Sequence, residues 1–267
     1  MGILVPTEQP TVSAALEITD VSLRFGGIRT LDQVSLAVAE GQVCAIIGPN
    51  GAGKTSLFNV ISGLYRPQEG SVRYRGTETL GLRPDRLAAL GIARTFQNVA
   101  LFSGLSVLDN VLVGSHLTAP RDGFLASALQ LPGTRRRERQ MVSTAMDLLR
   151  SLNIDSFAHH QVDDLAFGTR KRVEIARALA AEPSMLMLDE PAAGLPHGEV
   201  DDLVDLLRTV RDTYDLTLLV VEHHMRLVMS LADHVVALNF GKVMAQGEPR
   251  SVAADPVVIE AYLGAKA

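Results

Sequence analysis

The chain is poor in the residues that crosslink or anchor proteins, with one cysteine and no tryptophan. The single thiol of Cys44 excludes a disulfide within the chain and favours a reducing compartment, and its place in an apolar strand predicts a small core residue. No apolar run approaches the roughly 18 to 20 residues that cross a bilayer, so membrane contact is expected only through partners. The start of the chain lacks the basic region of a signal peptide. We therefore expect a loose leader over 1–14, a single domain over 15–267 and a cytoplasmic location.

Basic residues are also scarce relative to acidic ones. Lys and Arg number 25 against 30 Asp and Glu, which gives a formal net charge of −5. This balance argues against broad binding to nucleic acids, which usually requires a basic face. A local basic cluster at Arg135, Arg136, Arg137 and Arg139 is interpreted as a solvated helix face, with a lipid or RNA contact as the alternative.

A glycine-rich stretch after the apolar run Val43–Ile47 gives the strongest signal in the chain. It reads Gly48-Pro49-Asn50-Gly51-Ala52-Gly53-Lys54-Thr55, and Ser56 follows it. Glycines let successive backbone N–H groups converge on phosphates at the start of a helix, where the helix dipole adds a favourable field. The pattern predicts a loop that binds a nucleoside triphosphate, with Lys54 on the β and γ phosphates and the Thr55 hydroxyl on Mg²⁺.

Two carboxylates end a second apolar strand. Residues 185–188 are all apolar and lead directly into Asp189 and Glu190. An anionic side chain at the end of a buried strand suits Mg²⁺ beside a phosphate site, because this ion prefers oxygen ligands. We predict that Asp189 holds the metal, directly or through water. Glu190 is predicted to act as the general base that orients and polarises the attacking water.

The apolar pattern predicts an α/β fold. Uniformly apolar segments are typical of central parallel strands, whereas the alternating early segments favour an antiparallel sheet. No strong strand occurs between Gln97 and Leu165, so a helical subdomain is expected over about 98–182. Strands are predicted at 16–23, 34–38, 43–47, 71–74, 185–188, 217–221, 234–238 and 243–245, and helices at 54–62, 139–152, 168–181 and 198–211.

Between the two phosphate-site segments lies Leu165-Ala166-Phe167-Gly168-Thr169, followed by a basic and apolar helix. This stretch resembles the signature of ATP-binding-cassette (ABC) ATPases. Other family motifs occur in order: Phe25 before Gly26, Gln97 in Thr95-Phe96-Gln97-Asn98, and His223 in Val221-Glu222-His223-His224. The resemblance runs from about Leu16 to Leu263. It implies an ABC-type P-loop ATPase core with a parallel sheet, an antiparallel β subdomain and an inserted helical subdomain.

The resemblance implies a role for each motif residue, with ATP and Mg²⁺ as cofactors. Phe25 would stack on adenine, worth about 1 to 3 kcal/mol by analogy with base–aromatic platforms, with a core aromatic as the alternative. Gln97 would join Thr55 and Asp189 at Mg²⁺ and take part in catalysis. His223 would contact the γ phosphate. Stacking needs no base-specific hydrogen bond, so GTP remains an open alternative.

The resemblance also implies partners. A cassette of this family binds ATP between two subunits, with the signature of one facing the phosphate loop of the other, so a chain with one copy of each must dimerise. Two transmembrane permease subunits would dock near residues 97–114, where Leu101, Phe102 and Leu105 are either contacts or core residues. A solute-binding protein would take part only indirectly, no nucleic acid is expected, and the location would be the cytoplasmic face of the membrane.

A finer resemblance concerns the connecting sequence. The segments 25–31, Arg94-Thr95-Phe96-Gln97, 189–195 and 255–264, with an extra stretch over 115–140, are similar to ATP-binding subunits of branched-chain amino acid uptake systems. The ATPase of a lipopolysaccharide or other exporter is one alternative. A soluble cassette ATPase that acts on ribosomes or DNA is another, although such proteins typically carry two cassettes, a long coiled coil or zinc cysteines.

Several positions depart from the family pattern. Ala166, Phe167 and Thr169 stand where the common signature has Ser, Gly and Gln, and Pro196 stands where Asp or Asn is usual. The missing serine hydroxyl favours a heterodimer with a cassette that bears a fuller signature. His224 replaces a frequent Asp. Because neighbours on a strand point to opposite faces, the paired histidines do not predict a zinc site.

Overall fold

The computed structural model describes residues 14–95, 100–115 and 132–264. Its strands are β1 (Ala14–Phe25), β2 (Ile28–Ala39), β3 (Val43–Ile47), β4 (Glu69–Tyr74), β5 (Thr77–Glu78), β6 (Ile92–Arg94), β7 (Met185–Asp189), β8 (Thr217–Val221), β9 (His234–Asn239) and β10 (Lys242–Gly247). Its helices are α1 (Lys54–Ile61), α2 (Pro84–Ala89), α3 (Val107–Ser115), α4 (Pro132–Ser151), α5 (Phe167–Leu179), α6 (His197–Tyr214), α7 (Met225–Leu231), α8 (Pro249–Ala253) and α9 (Pro256–Gly264).

Two sheets organise these elements. The larger sheet has the strand order β10-β9-β3-β8-β7-β6, in which all neighbours except the β10–β9 hairpin are parallel. The smaller sheet has the order β2-β1-β4-β5 and is antiparallel. The predicted α/β class, with a parallel sheet and an antiparallel β subdomain, is confirmed. Among the described residues no helix has both the length and the apolar character needed to cross a membrane.

The central strands are buried on both faces, and their side chains alternate between separate cores. On β7, Met185 and Met187 pack towards α1 and the smaller sheet, whereas Leu186 and Leu188 pack towards α3, α4, α5 and α6. A side-chain period of two delivers alternate residues to opposite faces. This double burial explains the uniformly apolar sequence. Cys44 is fully buried in the same sheet, as predicted, and burial raises the pKa of its thiol to about 12.

Most predicted elements are present, with shifted ends. The strands predicted at 43–47 and 217–221 have the predicted bounds. β5 and β6 were not predicted, because two or three residues are too few to establish a period. β1 begins at Ala14, the last residue of the predicted leader, and residues 1–13 lie outside the described part, so the leader over 1–14 stays a prediction.

Helices fill the described part of the region between Gln97 and Leu165. α3 was not predicted, and α4 begins seven residues before the predicted start at 139. α3 and α4 pack with α5 around Val111, Leu149 and Val173. On α4, Arg136, Arg137 and Arg139 are exposed, as expected for a solvated face. No strand occurs in the described residues of this region, where only one isolated bridge joins Ser106 to Gln161.

Candidate active site

Three adjacent parallel strands bring the predicted motifs to one edge of the larger sheet. Ile46 of β3 pairs with Val221 of β8, which in turn pairs with Asp189 of β7. The phosphate loop, Glu190 and His223 all follow the carboxyl ends of these strands. In open α/β sheets this edge is where ligands bind. The sheet therefore brings residues from distant parts of the sequence into one site.

The phosphate loop has a backbone that only glycine accommodates at its first and sixth positions. Gly48 has φ 152° and Gly53 has φ 102°, both in the region that side chains disfavour. A Cβ on Gly48 would lie 2.2 Å from the carbonyl oxygen of Leu238, and one on Gly53 would lie 2.7 Å from that of Thr30. Close packing against β9 and β2 thus demands the glycines and fixes the loop ahead of α1.

Lys54, the first residue of α1, points into this loop. Its side chain is buried, with 6% of the residue exposed, and its Nζ donates to the carbonyl oxygens of Gly48 at 2.8 Å and Pro49 at 3.1 Å. Burial lowers the pKa of Lys54, and the charges of Glu190 and Asp189 oppose that shift. The cation therefore lies between the phosphate loop and the two carboxylates. Thr55 is exposed and Ser56 is half-buried on the same turn of helix.

Asp189 is held by an arginine from the neighbouring strand. Arg94, the last residue of β6, donates from Nη2 to Asp189 Oδ2 at 2.8 Å, and both side chains are nearly fully buried. Its Nη1 donates to Asn59 Oδ1 and to Ser62 Oγ, each at 2.7 Å. The guanidinium carbon lies 5.2 Å from the ring centroid of Phe58. The sequence analysis missed this role of Arg94. The only clue to it in the sequence is the position of an arginine at the end of an apolar strand.

The residues predicted to hold Mg²⁺ have suitable chemistry. The Thr55 hydroxyl and the Asp189 carboxylate are oxygen ligands, the type that Mg²⁺ prefers. Because Arg94 already binds one carboxylate oxygen of Asp189, metal and arginine would share this side chain. Gln97, the third predicted ligand, lies outside the described residues, so its place in the site stays a prediction.

Glu190 and His223 meet across the ends of β7 and β8. Glu190 has φ 47°, an uncommon conformation for a residue with a side chain, and its N–H donates to the Val221 carbonyl at 2.9 Å. Its Oε1 lies 3.6 Å from His223 Nδ1. The Glu190 side chain is largely buried, whereas 55% of the His223 side chain is exposed. The predicted base and the predicted γ-phosphate contact are therefore neighbours, one sheltered and one facing solvent.

Glu222 is a buried carboxylate beside these two residues that sequence reasoning did not select. It is 0% exposed at the end of β8. Its Oε1 accepts the N–H of Ala192 at 2.8 Å, and its Oε2 accepts the N–H groups of His223 and His224, each at 2.9 Å. The signal was an acidic residue directly after a fully apolar strand, the same pattern that identified Asp189 and Glu190.

The two histidines do not lie on a strand, so the expectation based on alternating strand faces is wrong here. β8 ends at Val221, and His224 is the N-cap residue of α7. The backbone of both histidines is held instead by Glu222, which accepts the N–H group of each. Among the described residues no group of three or more His, Cys, Asp or Glu is placed to hold a metal ion.

A buried lysine on α5 also reaches the site. Lys171 on α5 is 4% exposed, and its Nζ lies 3.4 Å from the carbonyl oxygen of Glu190. Burial lowers its pKa, opposed first by Glu174 and then by Glu222, Asp189 and Glu190. Lys171 is therefore a buried cation that balances the charge of several buried carboxylates. Its place in the basic run Arg170-Lys171-Arg172 does not by itself reveal this burial.

Phe25 is not a core residue. It is 45% exposed at the end of β1 and contacts Tyr65 edge to face, with ring centroids 5.0 Å apart. Its hairpin continues into Thr30, whose carbonyl lies against Gly53 of the phosphate loop. An exposed aromatic pair near this loop suits base stacking, although the adenine contact itself stays a prediction.

The signature segment begins α5. Ala166 is the N-cap residue of the helix and makes no side-chain capping bond. Phe167 is partly exposed and packs over Gly194, where an added Cβ would lie 3.0 Å from its ring. A Cβ on Gly168 would lie 2.5 Å from Glu199 Oε2, so this glycine allows close approach to α6. Leu165 is buried, Thr169 is half-buried, and Pro196 is the N-cap residue of α6.

Two protein-family models match the chain. One, described as ABC transporter, matches residues 31–193. The other, described as branched-chain amino acid ATP-binding cassette transporter, matches residues 242–267. The two matches include the phosphate loop, the signature and the C-terminal helices α8 and α9.

Individual proteins match over nearly the full chain. The high-affinity branched-chain amino acid transport ATP-binding protein BraF of Pseudomonas aeruginosa is 43% identical over 249 residues, 93% of this chain and 97% of BraF. The ADP conformation of MJ1267, an ATP-binding cassette of an ABC transporter, superposes with a TM-score of 0.81 at 32% identity, covering 94% of this chain and 99% of that one. The dimeric structure of the bacterial ABC transporter cassette MJ0796 has a TM-score of 0.74 at 26% identity, with 88% and 99% covered.

Proposed function

This chain belongs to the ABC transporter family as an ATP-binding cassette ATPase, and on that premise we propose that it powers a membrane importer for branched-chain or similar amino acids. The observation that carries the proposal is the match of residues 242–267 to the branched-chain amino acid cassette family. BraF, a relative at 43% identity, is named for branched-chain amino acid transport, which supports the same substrate class.

The chemistry is phosphoryl transfer to water, which needs positioning and charge neutralisation more than a nucleophilic side chain. Lys54 neutralises charge on the β and γ phosphates. Glu190 accepts a proton from the attacking water, and His223 holds the geometry at the γ phosphate. Thr55, Asp189 and Gln97 would hold Mg²⁺, which would supply further charge neutralisation when bound.

A groove beside α3 and α5 is suited to a permease subunit. It has a volume of about 480 Å³, and its lining includes Leu64, Leu87, Ile92, Phe102, Val113 and Ala178. Phe102 is 50% exposed and Leu105 is also exposed, whereas Leu101 packs against the core. Exposed apolar side chains gathered in a groove often mark an interaction site. We assign it to a cytoplasmic segment of a permease, which would hold the cassette at the cytoplasmic face of the membrane.

The working unit is proposed to contain two cassettes, as in the dimeric structure of MJ0796. Ala166 offers no hydroxyl to a phosphate held by the opposite subunit. A homodimer would therefore lack one charge-assisted hydrogen bond at each of two sites, worth about 1.5 to 3 kcal/mol each. A heterodimer with a related cassette of fuller signature closes the complete phosphate loop of this chain more tightly.

The transport assignment is tested by reconstitution. The chain is purified with its co-purifying permease and cassette subunits, placed in vesicles with enclosed ATP, and supplied with a solute-binding protein and labelled leucine, isoleucine or valine. We expect ATP-dependent uptake that Glu190→Gln abolishes. Uptake that stays at the level without ATP, while hydrolysis proceeds, would contradict the proposed substrate class.

A further inference from the structure

Glu222 joins two loops that each carry a catalytic residue. Ala192, which donates to Oε1, follows Glu190 by two positions on the loop after β7. The donors to Oε2 are the N–H groups of His223 and His224 on the loop after β8. Each carboxylate oxygen is therefore bound to a different loop. The Glu222 side chain therefore links the loop that carries Glu190 to the loop that carries His223, and the side chains of those two residues lie 3.6 Å apart.

Because Glu222 is buried, loss of its hydrogen bonds would destabilise the folded protein. A fully buried carboxylate is tolerated only where hydrogen bonds or charges compensate for lost hydration. Here three backbone N–H groups supply that compensation, and its own N–H donates to the Ile46 carbonyl at 3.2 Å. Hydrogen bonds to an ionised acceptor are roughly twice as strong as neutral ones. The carboxylate thus holds the two loops to each other, while the backbone N–H of the same residue joins it to the end of β3, from which the phosphate loop starts.

We infer that Glu222 is a positioning residue for ATP hydrolysis, which sets the distance between Glu190 and His223 without touching the nucleotide. The inference rests on the proposed function, since it gives Glu190 and His223 their roles in hydrolysis. It predicts that loss of the Glu222 carboxylate lowers turnover and leaves ATP affinity nearly unchanged. ATP is held by the phosphate loop, where the Lys54 ammonium donates to the carbonyl oxygens of Gly48 and Pro49 and not to Glu222.

Glu222→Gln tests this directly. An amide has one acceptor oxygen, so its NH₂ group faces either the Ala192 N–H or the two histidine N–H groups, and one loop is released in either case. We expect kcat to fall about tenfold to a hundredfold, the range for a hydrogen bond to a charged group. The equilibrium dissociation constant for a slowly hydrolysed ATP analogue is expected to change less than about twofold. Should the glutamine variant fail to fold, Glu222→Asp keeps the charge but is too short to reach both loops, with the same expected fall in kcat.

Thr217→Val provides a matched control at the opposite end of β8. Thr217 is also fully buried, and its Oγ1 accepts the N–H of Gly41 at 3.0 Å. Its replacement removes a buried hydrogen-bond acceptor from the same strand, far from the catalytic loops. Both variants are expected to lower Tm by a few degrees, while only the Glu222 variants lose turnover.

The outcomes separate the possible explanations. Wild-type kcat in the Glu222 variants overturns the inference, as does a loss of kcat that Thr217→Val shares, or a loss of ATP affinity as large as the loss of kcat. If the wild-type chain with its partners hydrolyses no ATP, the proposed function fails, and the inference fails with it. A selective fall in kcat supports both.

Discussion

The phosphate loop and the loops after β7 and β8 reach their conformations in different ways. In the phosphate loop, the left-handed backbone at Gly48 and Gly53 is a property of its own residues. The end of β7 and the loop after it are instead held by side chains from other segments, namely Arg94, Lys171 and Glu222. Glu222 also accepts the N–H groups of the two histidines that follow it after β8. ATP affinity should therefore respond to changes inside the phosphate loop, and turnover to changes in these distant side chains.

The largest effect is expected at Glu190 itself. Glu190→Gln keeps the shape of the side chain but removes the base, so turnover should fall by roughly 10² to 10⁴. ATP affinity should be preserved, because Lys54 and the phosphate loop are unchanged. Steady-state hydrolysis and equilibrium ATP binding are measured on the same preparation. Near-normal turnover would remove Glu190 from the role of base.

Replacing Arg94 is expected to affect stability most. Arg94→Met leaves the nearly buried Asp189 carboxylate without its partner, and removing one member of a buried ion pair typically costs about 3 to 5 kcal/mol. Chemical denaturation measures the free energy of unfolding. Arg83→Met, which breaks the exposed pair of Arg83 with Asp85, serves as control and should change little. An equal decrease in the free energy of unfolding in the two variants would contradict the view that burial makes the Arg94–Asp189 pair more important than the exposed pair.

Lys54→Ala should change ATP binding. Removal of a charge-assisted contact to phosphate is worth about 1.5 to 3 kcal/mol, which corresponds to a roughly tenfold to hundredfold weaker dissociation constant. Lys242→Ala is the control, since this lysine is exposed and pairs with Asp32. An unchanged dissociation constant in the Lys54 variant would show that the loop does not bind phosphate as described.

The smallest effect is expected at Ala166. Ala166→Ser restores a hydroxyl at the N-cap of α5 and should stabilise the free chain by about 1 kcal/mol through capping. If the heterodimer proposal is correct, the same variant also raises ATPase activity of the chain alone, as does addition of a cassette with a fuller signature. Full activity of the unmodified chain, improved by neither change, would point to Gly168 backbone donation as sufficient.

The contrast between the loops also explains what the sequence could predict. The phosphate loop, β3 and α1 are contiguous, so a local pattern of glycines after an apolar run was sufficient. Arg94 and Asp189 are 95 residues apart, and Glu222 and Ala192 are 30 apart. Hydrophobic periodicity in the sequence cannot reveal such pairs, because they are brought together by the parallel register of β6, β7 and β8. α3 was not predicted because it is apolar on several sides and so lacks the single apolar face by which a helix is recognised in a sequence.

One chain should bind ATP through its own phosphate loop, whereas hydrolysis should require a second chain. The most direct measurement is the hydrolysis rate per chain as a function of chain concentration, with ATP affinity determined at the same concentrations. We predict that ATP binds at every concentration, including those at which the chain is monomeric, and that the rate per chain rises with concentration and with added partner cassette. A rate per chain that stays constant down to concentrations where sedimentation detects only monomer would contradict this account.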